Sequence, residues 1–474
     1  MERLAGIDAA FLYLETPSTH MHVVATVVVD PNARESACDT REIGRVVATK
    51  LAEVRRFRQR VLAVPMGLDH PRLADDPAFD VEAHVRRLVL PPPGSESDLT
   101  RAVASIASEP LARGRALWEV WEMCGLGGGR VAIVLKVHHA VIDGVSGMDL
   151  MATMFDLHPT GNVSPGPRTT SGVPSVPSAL TLLASAVFSV AAWPLGFVRA
   201  LGDSTRSALC VLDGVLASAP ALPYPTVPFD APRTVFNRAI SGERAAAFAQ
   251  VSLADVKALR RRFGATVNDV VLTLCTMSLR RFLSTRGGIP DRALVASVPV
   301  AVPVGGHHAF NHVSAMFVGL PVHLEDPEAQ LRYITARAEL AKGLHRAAGG
   351  DLLREWAELA PPGLFAGAAG LVSRWRLADR FRPVHNLVVS NVPGPQVPLY
   401  AGGARVVGIY PLGPVLEGAG MNLSVISYNG SVHIGVVTCR QAVPDPSAIA
   451  DGVVQAVREL GALGESSTAR VRCS

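Results

Sequence analysis

The stretch from Arg130 to Gly144, RVAIVLKVHHAVIDG, decides how this chain is read. Its first eight residues, Arg130 to Val137, are dominated by β-branched and aliphatic side chains and predict a strand. The strand delivers the chain to His138 and His139, with Asp143 four positions after the second histidine and Gly144 next to it. Successive strand side chains face opposite ways, so only one imidazole points into a given cavity while its neighbour packs into the surroundings. A buried neutral imidazole accepts a proton near physiological pH, and a hydrogen bond to its other ring nitrogen fixes the tautomer. Gly144 leaves room for a substrate beside it.

Working outward, His22 to Asp30 (HVVATVVVD) predicts a strand ended by Pro31, followed by helical periodicity from Arg41 to Val54. Phe79 to Leu90 reads as a strand and Asp98 to Ala107 as a helix. Pro159 to Pro177 has linker composition, and Ser178 to Val198 contains no charged residue. That apolar segment approaches the roughly 20 residues of a membrane span, but Pro194 and Gly196 favour helices packed on the protein or lying at a membrane surface. After the proline-rich Pro223 to Pro232, a second domain begins near Arg233. It opens with a strand over Arg244 to Val251 and helices over Leu253 to Phe263 and Asn268 to Leu283. Strands follow at Ala293 to Val302, Ser314 to Val322 and Asn386 to Ser390. Asn422 to Tyr428 and Ser431 to Thr438 flank Asn429-Gly430, whose residues tolerate positive φ and so signal a hairpin. The class is mixed α/β, with an N-terminal domain over 1–160, a connecting segment over 161–232 and a C-terminal domain over 233–474.

Composition narrows the function. At 474 residues the chain exceeds one typical core. Hydrophobic residues make up 49% and charged residues 18%, and the mean hydropathy of +0.27 suits an apolar ligand or a membrane surface. The net charge of +4 is scattered rather than concentrated, which argues against nucleic acid as a partner. Six cysteines, Cys38, Cys124, Cys210, Cys275, Cys439 and Cys473, form no CxxC pair and predict neither a zinc site nor a disulfide framework. Charged residues interrupt the first seventeen positions where a secretory signal needs an apolar core, so a cytoplasmic location is expected.

HHAVIDG resembles the HHxxxDG motif of CoA-dependent acyltransferases, the superfamily of chloramphenicol acetyltransferase, carnitine acyltransferases and peptide-synthetase condensation domains. Six further blocks narrow the resemblance: FLYLETPSTHMHV (Phe11 to Val23), PLARGRALWEV (Pro110 to Val120), APRTVFN (Ala231 to Asn237), GATVNDVVL (Gly264 to Leu272), NHVSAMFVGLP (Asn311 to Pro321) and SNVPGP (Ser390 to Pro395). In this order they resemble the bacterial wax ester synthase/acyl-CoA:diacylglycerol acyltransferase family over nearly the whole chain. The resemblance implies two chloramphenicol-acetyltransferase-like domains forming a pseudo-dimer with an active-site tunnel between them. It assigns the catalytic base to His139, supported by His138, Asp143 and Gly144, with Asp143 a structural partner of an arginine. Fatty acyl-CoA is then a substrate rather than a cofactor, and the acceptor is diacylglycerol or a long-chain alcohol. The protein is expected peripherally at the inner membrane face or on lipid droplets. Where the family carries Ser-x-Arg after a Val-Pro pair, this chain has Ala301 and Pro303, which keeps a catalytically weak lipid-binding protein open as an alternative.

Other chemistries fit less well. His139 and Asp143 lack a third ligand at useful spacing, so no metal is expected. His20 with His22, and His307 with His308, read as solvent-facing loop pairs. Ser146 in GVSG misses the nucleophile elbow because the second glycine comes one position too early. Trp118 reads as core. Asn268 and Asp269 read as helix-capping residues, and Asn391 and Gly394 as turn residues. The oxyanion donor is left open among Asn268, Asn422 and Ser424.

Overall fold

The computed structural model describes residues 2–31, 42–142, 147–159, 181–184, 202, 205, 226–301, 313–348, 357–358 and 361–471. The apolar segment Ser178 to Val198 therefore lies outside the described residues except for 181–184. Two six-stranded mixed sheets dominate. The first runs β12 (Tyr400–Ala401), β13 (Ala404–Leu412), β2 (His22–Asp30), β7 (Val131–His138), β6 (Trp118–Cys124) and β5 (Val85–Val89). The second runs β10 (Val313–Leu320), β9 (Leu294–Ala301), β11 (Leu387–Val392), β14 (Met421–Tyr428), β15 (Ser431–Cys439) and β8 (Arg244–Ser252). A small third sheet joins β1 (Glu2–Arg3), β4 (Arg72–Asp75) and β3 (Gln59–Leu62).

Central strand β7 is buried along its whole length, as its unbroken apolar run requires. It pairs antiparallel with β2, and His22 lies opposite His138 in the register. On one face, helix α2 (Ile43–Glu53) packs with Trp118 at the centre of the core. Trp118 is fully buried, and its indole N–H donates to the Phe57 carbonyl at 2.7 Å. His84 stacks on it with ring centroids 4.4 Å apart. This stacking explains why the expected strand from Phe79 shortens to β5: a 3₁₀ turn over Glu82–His84 tucks that imidazole inward first.

The second sheet is covered by α6 (Leu253–Phe263), α7 (Val267–Thr285) and α10 (Ser447–Val471), the last numbered after α8 (Pro327–Ala348) and α9 (Pro362–Arg374). Ser252 caps α6 by accepting from the Asp255 amide, and Gly264 ends it at φ 63°. The β14–β15 hairpin turns at Asn429 and Gly430, with φ of 42° and 82°. Among the described residues no helix is long and apolar enough to cross a membrane.

The two sheets are not segregated along the sequence. β13 comes from the C-terminal half, yet it pairs with β2 over Arg405–Leu412, with a bulge between Val406 and Gly408. Helix α3 (Glu96–Ser108) of the N-terminal half packs in turn on β8. An apolar layer containing Val24, Val103, Phe248 and Leu412 fills the space between the halves. The crossing depends on Gly435 in β15, where an added Cβ would lie 1.9 Å from the Pro411 carbonyl oxygen. That atom is backbone and cannot rotate away, so Gly435→Ala is expected to destabilise by at least the roughly 1–3 kcal/mol of ordinary overpacking. Chemical unfolding of the two proteins would check it, and equal midpoints would show that the strand is free to shift.

Candidate active site

His138 and His139 straddle a boundary. His138 is the last residue of β7, and His139 opens the short helix α4 (His139–Ile142). The change from strand to helix aims the two imidazoles differently. His138 is buried, and its Nδ1 accepts from the Ala140 amide at 3.1 Å. This places the proton on Nε2, which faces Glu15 Oε2 at 3.4 Å. Glu15 is held in turn by Arg113. Burial, and then the Arg113 guanidinium, push the His138 pKa down to about 3, so its contact with Glu15 is that of a neutral ring.

His139 is only half-buried. Its amide donates to the Met21 carbonyl at 2.8 Å, and its ring stacks on Phe11 with centroids 3.9 Å apart. Phe11 belongs to α1 (Gly6–Tyr13), which packs against α4 on one side and α9 on the other. Asp143, Gly144 and Ser146 lie outside the described residues, as do His307, His308 and Pro303, whereas Ala301 ends β9.

The segment linking α1 to β2 joins the halves around these histidines. Ser18 donates to Glu417 at 2.7 Å and lies 2.8 Å from the Ser373 hydroxyl. Arg244, buried at the start of β8, donates to the Ser18 carbonyl at 2.6 Å. His20 and His22 are both buried and stacked, 5.6 Å apart, so the solvent-facing expectation for this pair is corrected. The cause is that β2 starts at His22, inside the sheet, where its Nε2 reaches the Ala107 carbonyl at 3.0 Å. Burial, followed by the Arg244 and Lys136 charges, lowers the His20 pKa to about 4; burial and Lys136 hold His22 well below its usual value. Lys136 is itself pushed by burial to about 8. Among the described residues, no three His, Cys, Asp or Glu side chains converge as a metal ligand set.

The remaining candidates sit in the second half. Asn268 does not cap α7: Thr266 does, in a capping box closed by Asp269. Asn268 instead accepts from the Asn391 side-chain amide at the end of β11, at 3.4 Å. Asn422 and Ser424 are buried neighbours on β14; Ser424 donates to Asn422 at 2.8 Å and the Asn422 amide donates to the Pro414 carbonyl at 3.0 Å. Gly394 closes against β14, its amide donating to Ser427 at 3.2 Å. Sequence reasoning assigned no role to Phe11, Glu15, Met21 or Arg113. The available signal was that all four fall inside two of the blocks already singled out, Phe11 to Val23 and Pro110 to Val120.

Two mixed-sheet lobes, the first completed by strands from the second half of the chain, with paired histidines where a central strand passes into a helix, define the class: this is the architecture of an acyltransferase. The chain belongs to the wax ester synthase/diacylglycerol acyltransferase family. Residues 4–271 match its catalytic domain and residues 310–461 its C-terminal domain. A Mycobacterium tuberculosis H37Rv protein provisionally named diacylglycerol O-acyltransferase is 36% identical over 97% of this chain and 90% of its own length. A second, similarly named protein of the same strain is 35% identical over 96% and 94%. The solved wax ester synthase/diacylglycerol acyltransferase of Marinobacter aquaeolei VT8 superposes with TM-score 0.66 at 27% identity, covering 97% of this chain and 98% of that one. A condensation domain of the calcium-dependent antibiotic synthetase shares the fold, with TM-score 0.56 at 15% identity over 97% and 96% of the two chains.

The buried imidazoles give the protein a characteristic acid response. His20, His22 and His138 titrate below the ordinary value of 6.5. The unfolded chain therefore binds more protons below that pH, and their contribution is complete above 6.5 and lost as pH falls toward the folded values. Each such histidine costs up to about 1.4 kcal/mol per pH unit within its window. Melting temperature is expected to decline from about pH 6.5 downward, before ordinary carboxylates titrate near about pH 4. A melting temperature independent of pH between about 7.5 and 5 would show that the rings are hydrated.

Proposed function

We propose that this protein forms triacylglycerol by transferring a fatty acyl group from acyl-CoA directly to diacylglycerol, with His139 as general base. The observation that carries the reading is the pair of histidines. His138 is buried, held neutral and bonded through Nδ1 to the Ala140 amide, whereas the half-buried His139 is oriented by Phe11 and by the Met21 carbonyl. Family membership and the mycobacterial relatives' names favour diacylglycerol as acceptor.

Transfer from a thioester to an alcohol needs a base for the hydroxyl, donors for the tetrahedral oxyanion and a proton for the leaving thiolate. His139 takes the hydroxyl proton as the oxygen attacks the thioester carbonyl. The C–S bond then breaks, and the same imidazolium returns the proton to the CoA sulfur. No acyl-enzyme is formed. On this reading Asp143 relays no proton. Of the oxyanion candidates, Asn268 has its side-chain oxygen committed to Asn391 and retains its own amide N–H groups as donors. Asn422 and Ser424 already bond each other and Pro414. On this reading the reaction runs peripherally, at the cytoplasmic membrane face or on lipid droplets.

A long-chain alcohol is the second acceptor, and the family's double name is the reason to test it. Purified protein should be given labelled palmitoyl-CoA with diacylglycerol and hexadecanol in parallel. Triacylglycerol is expected to exceed wax ester; the reverse would move the assignment to wax ester synthesis, and no product would favour a lipid-binding protein. His139→Ala is expected to lower turnover by roughly a hundred- to ten-thousand-fold, about 3–5 kcal/mol of barrier, while leaving the melting temperature nearly unchanged. His138→Ala should chiefly lower stability, since it removes the acceptor for the Ala140 amide. Near wild-type turnover by His139→Ala would sink the mechanism.

A further inference from the structure

We infer that helix α9 and the basic turn that follows it form the surface on which this protein docks to an anionic lipid layer. The inference deepens the proposed lipid acyl transfer and rests on that reading for its purpose, although its geometry is independent of it. Helix α9, PGLFAGAAGLVSR, carries no charge before Arg374 and has no buried residue. A surface helix in water normally turns a polar face outward. Here Leu364 is 75% exposed and Leu371 44%, and the exposed Trp375, at 59%, continues the stripe. The spacing i, i+7, i+11 puts all three on one side, with exposed Ala368 between them.

The turn adds a second feature. From Arg374 to Arg382, four arginines stand against one acidic residue, Asp379, and all four are exposed. Asp379 is already engaged by Arg376 and by the Ala239 amide. Arg380 and Arg382 form no ion pair among the described residues. Phe381 is 65% exposed between them, and Phe229, 61% exposed, is tied to the end of the same stretch, its amide donating to the Val384 carbonyl at 2.9 Å. Arg233 donates to the carbonyls of Ala378, Asp379 and Phe381 and holds the turn in place.

Isolated exposed apolar side chains are ordinary; a continuous stripe flanked by charges of one sign is not. Aromatic rings alternating with guanidinium groups match a headgroup layer, where rings sink to the acyl boundary and cations meet phosphate. A protein partner would call for a charge-depleted centre, and here the arginines interleave with the rings. The location suits delivery of the acceptor. Phe365 of α9 meets Tyr13 of α1 edge-on at 6.0 Å, and α1 carries the Phe11 ring stacked on His139. One helix therefore separates the lipid-facing surface from the proposed base.

The test is sedimentation of the full-length protein with substrate-free vesicles of phosphatidylcholine, with and without phosphatidylglycerol, at low and high salt. Binding is expected to need phosphatidylglycerol and to weaken with salt. Arg380→Gln/Arg382→Gln should weaken it by about five-fold per arginine. Leu364→Ser/Leu371→Ser should weaken it on the phosphatidylglycerol vesicles at both salt concentrations, and neither double variant should alter the melting temperature. The blue shift of tryptophan fluorescence on binding should vanish in Trp375→Phe. Wild-type protein that ignores anionic vesicles, or variants that bind as wild type does, would overturn the inference. So would a loss of melting temperature or a changed oligomeric state in the leucine variant, since the face would then pack on the protein itself or on a second copy. Transfer to detergent-dispersed diacylglycerol is scored separately: activity without vesicle binding refutes the docking surface alone, and vesicle binding without activity refutes the proposed reaction alone.

Discussion

β13 crosses β15 so closely that the Pro411 carbonyl occupies the space a side chain at position 435 would fill. Everything near the paired histidines depends on this crossing. Because β13 is lent across it, β2 gains a second neighbour, with β13 on one side and β7 on the other. An edge strand in that place would expose its N–H and C=O groups and lose its fixed register. With β2 clamped, His22 sits opposite His138, and Met21 is placed to receive the His139 amide. The two halves of the chain thus cooperate in positioning residues that lie far apart in sequence.

Segment Leu14–Met21 turns that clamp into a site. Within eight residues it supplies Glu15 to His138, Ser18 to three partners from the other half, and Met21 to His139. Thr16 and Thr19 exchange backbone hydrogen bonds at 3.0 and 3.1 Å, so the segment is a defined turn rather than a loose connection. Removing a buried partner here leaves polar groups unsatisfied, typically at a cost of about 1–3 kcal/mol each. The site therefore has a stability of its own, distinct from that of the cores on either side.

Local signals made part of this legible. The strand His22–Asp30 and helix Leu253–Phe263 stand where the residues place them, because a β-branched run and a Ser252 to Gly264 frame are decided within their own windows. Strand β6 was not legible: WEVWEMC alternates glutamates with aromatics, and only the fold shows that Glu122 is buried to receive the Gly44 amide at 2.8 Å. Strand β13 was hidden for a different reason, since its partner lies almost four hundred residues earlier. The histidine pair announced itself by spacing, but the burial of His20 and His22 followed from register, which composition does not encode. Length and linker composition suggested two domains, and the family resemblance supplied their acetyltransferase-like pseudo-dimer architecture, which no local pattern contained.

Four imidazoles gather at this junction, and physical setting separates them. His20, His22 and His138 are buried deeply enough that burial opposes their protonation, and Lys136, Arg113 and Arg244 oppose it further. Those cations are held by backbone carbonyls and by Glu15, so they stay in place when a reaction proceeds. In the proposed transfer, negative charge develops on the thioester oxygen while positive charge develops on the base. Fixed positive groups favour the first and oppose the second, which keeps a base neutral and ready at rest. Only an imidazole that meets the substrate can use that field. Under the proposed mechanism that part falls to His139, which is less buried than the other three and ring-stacked on Phe11.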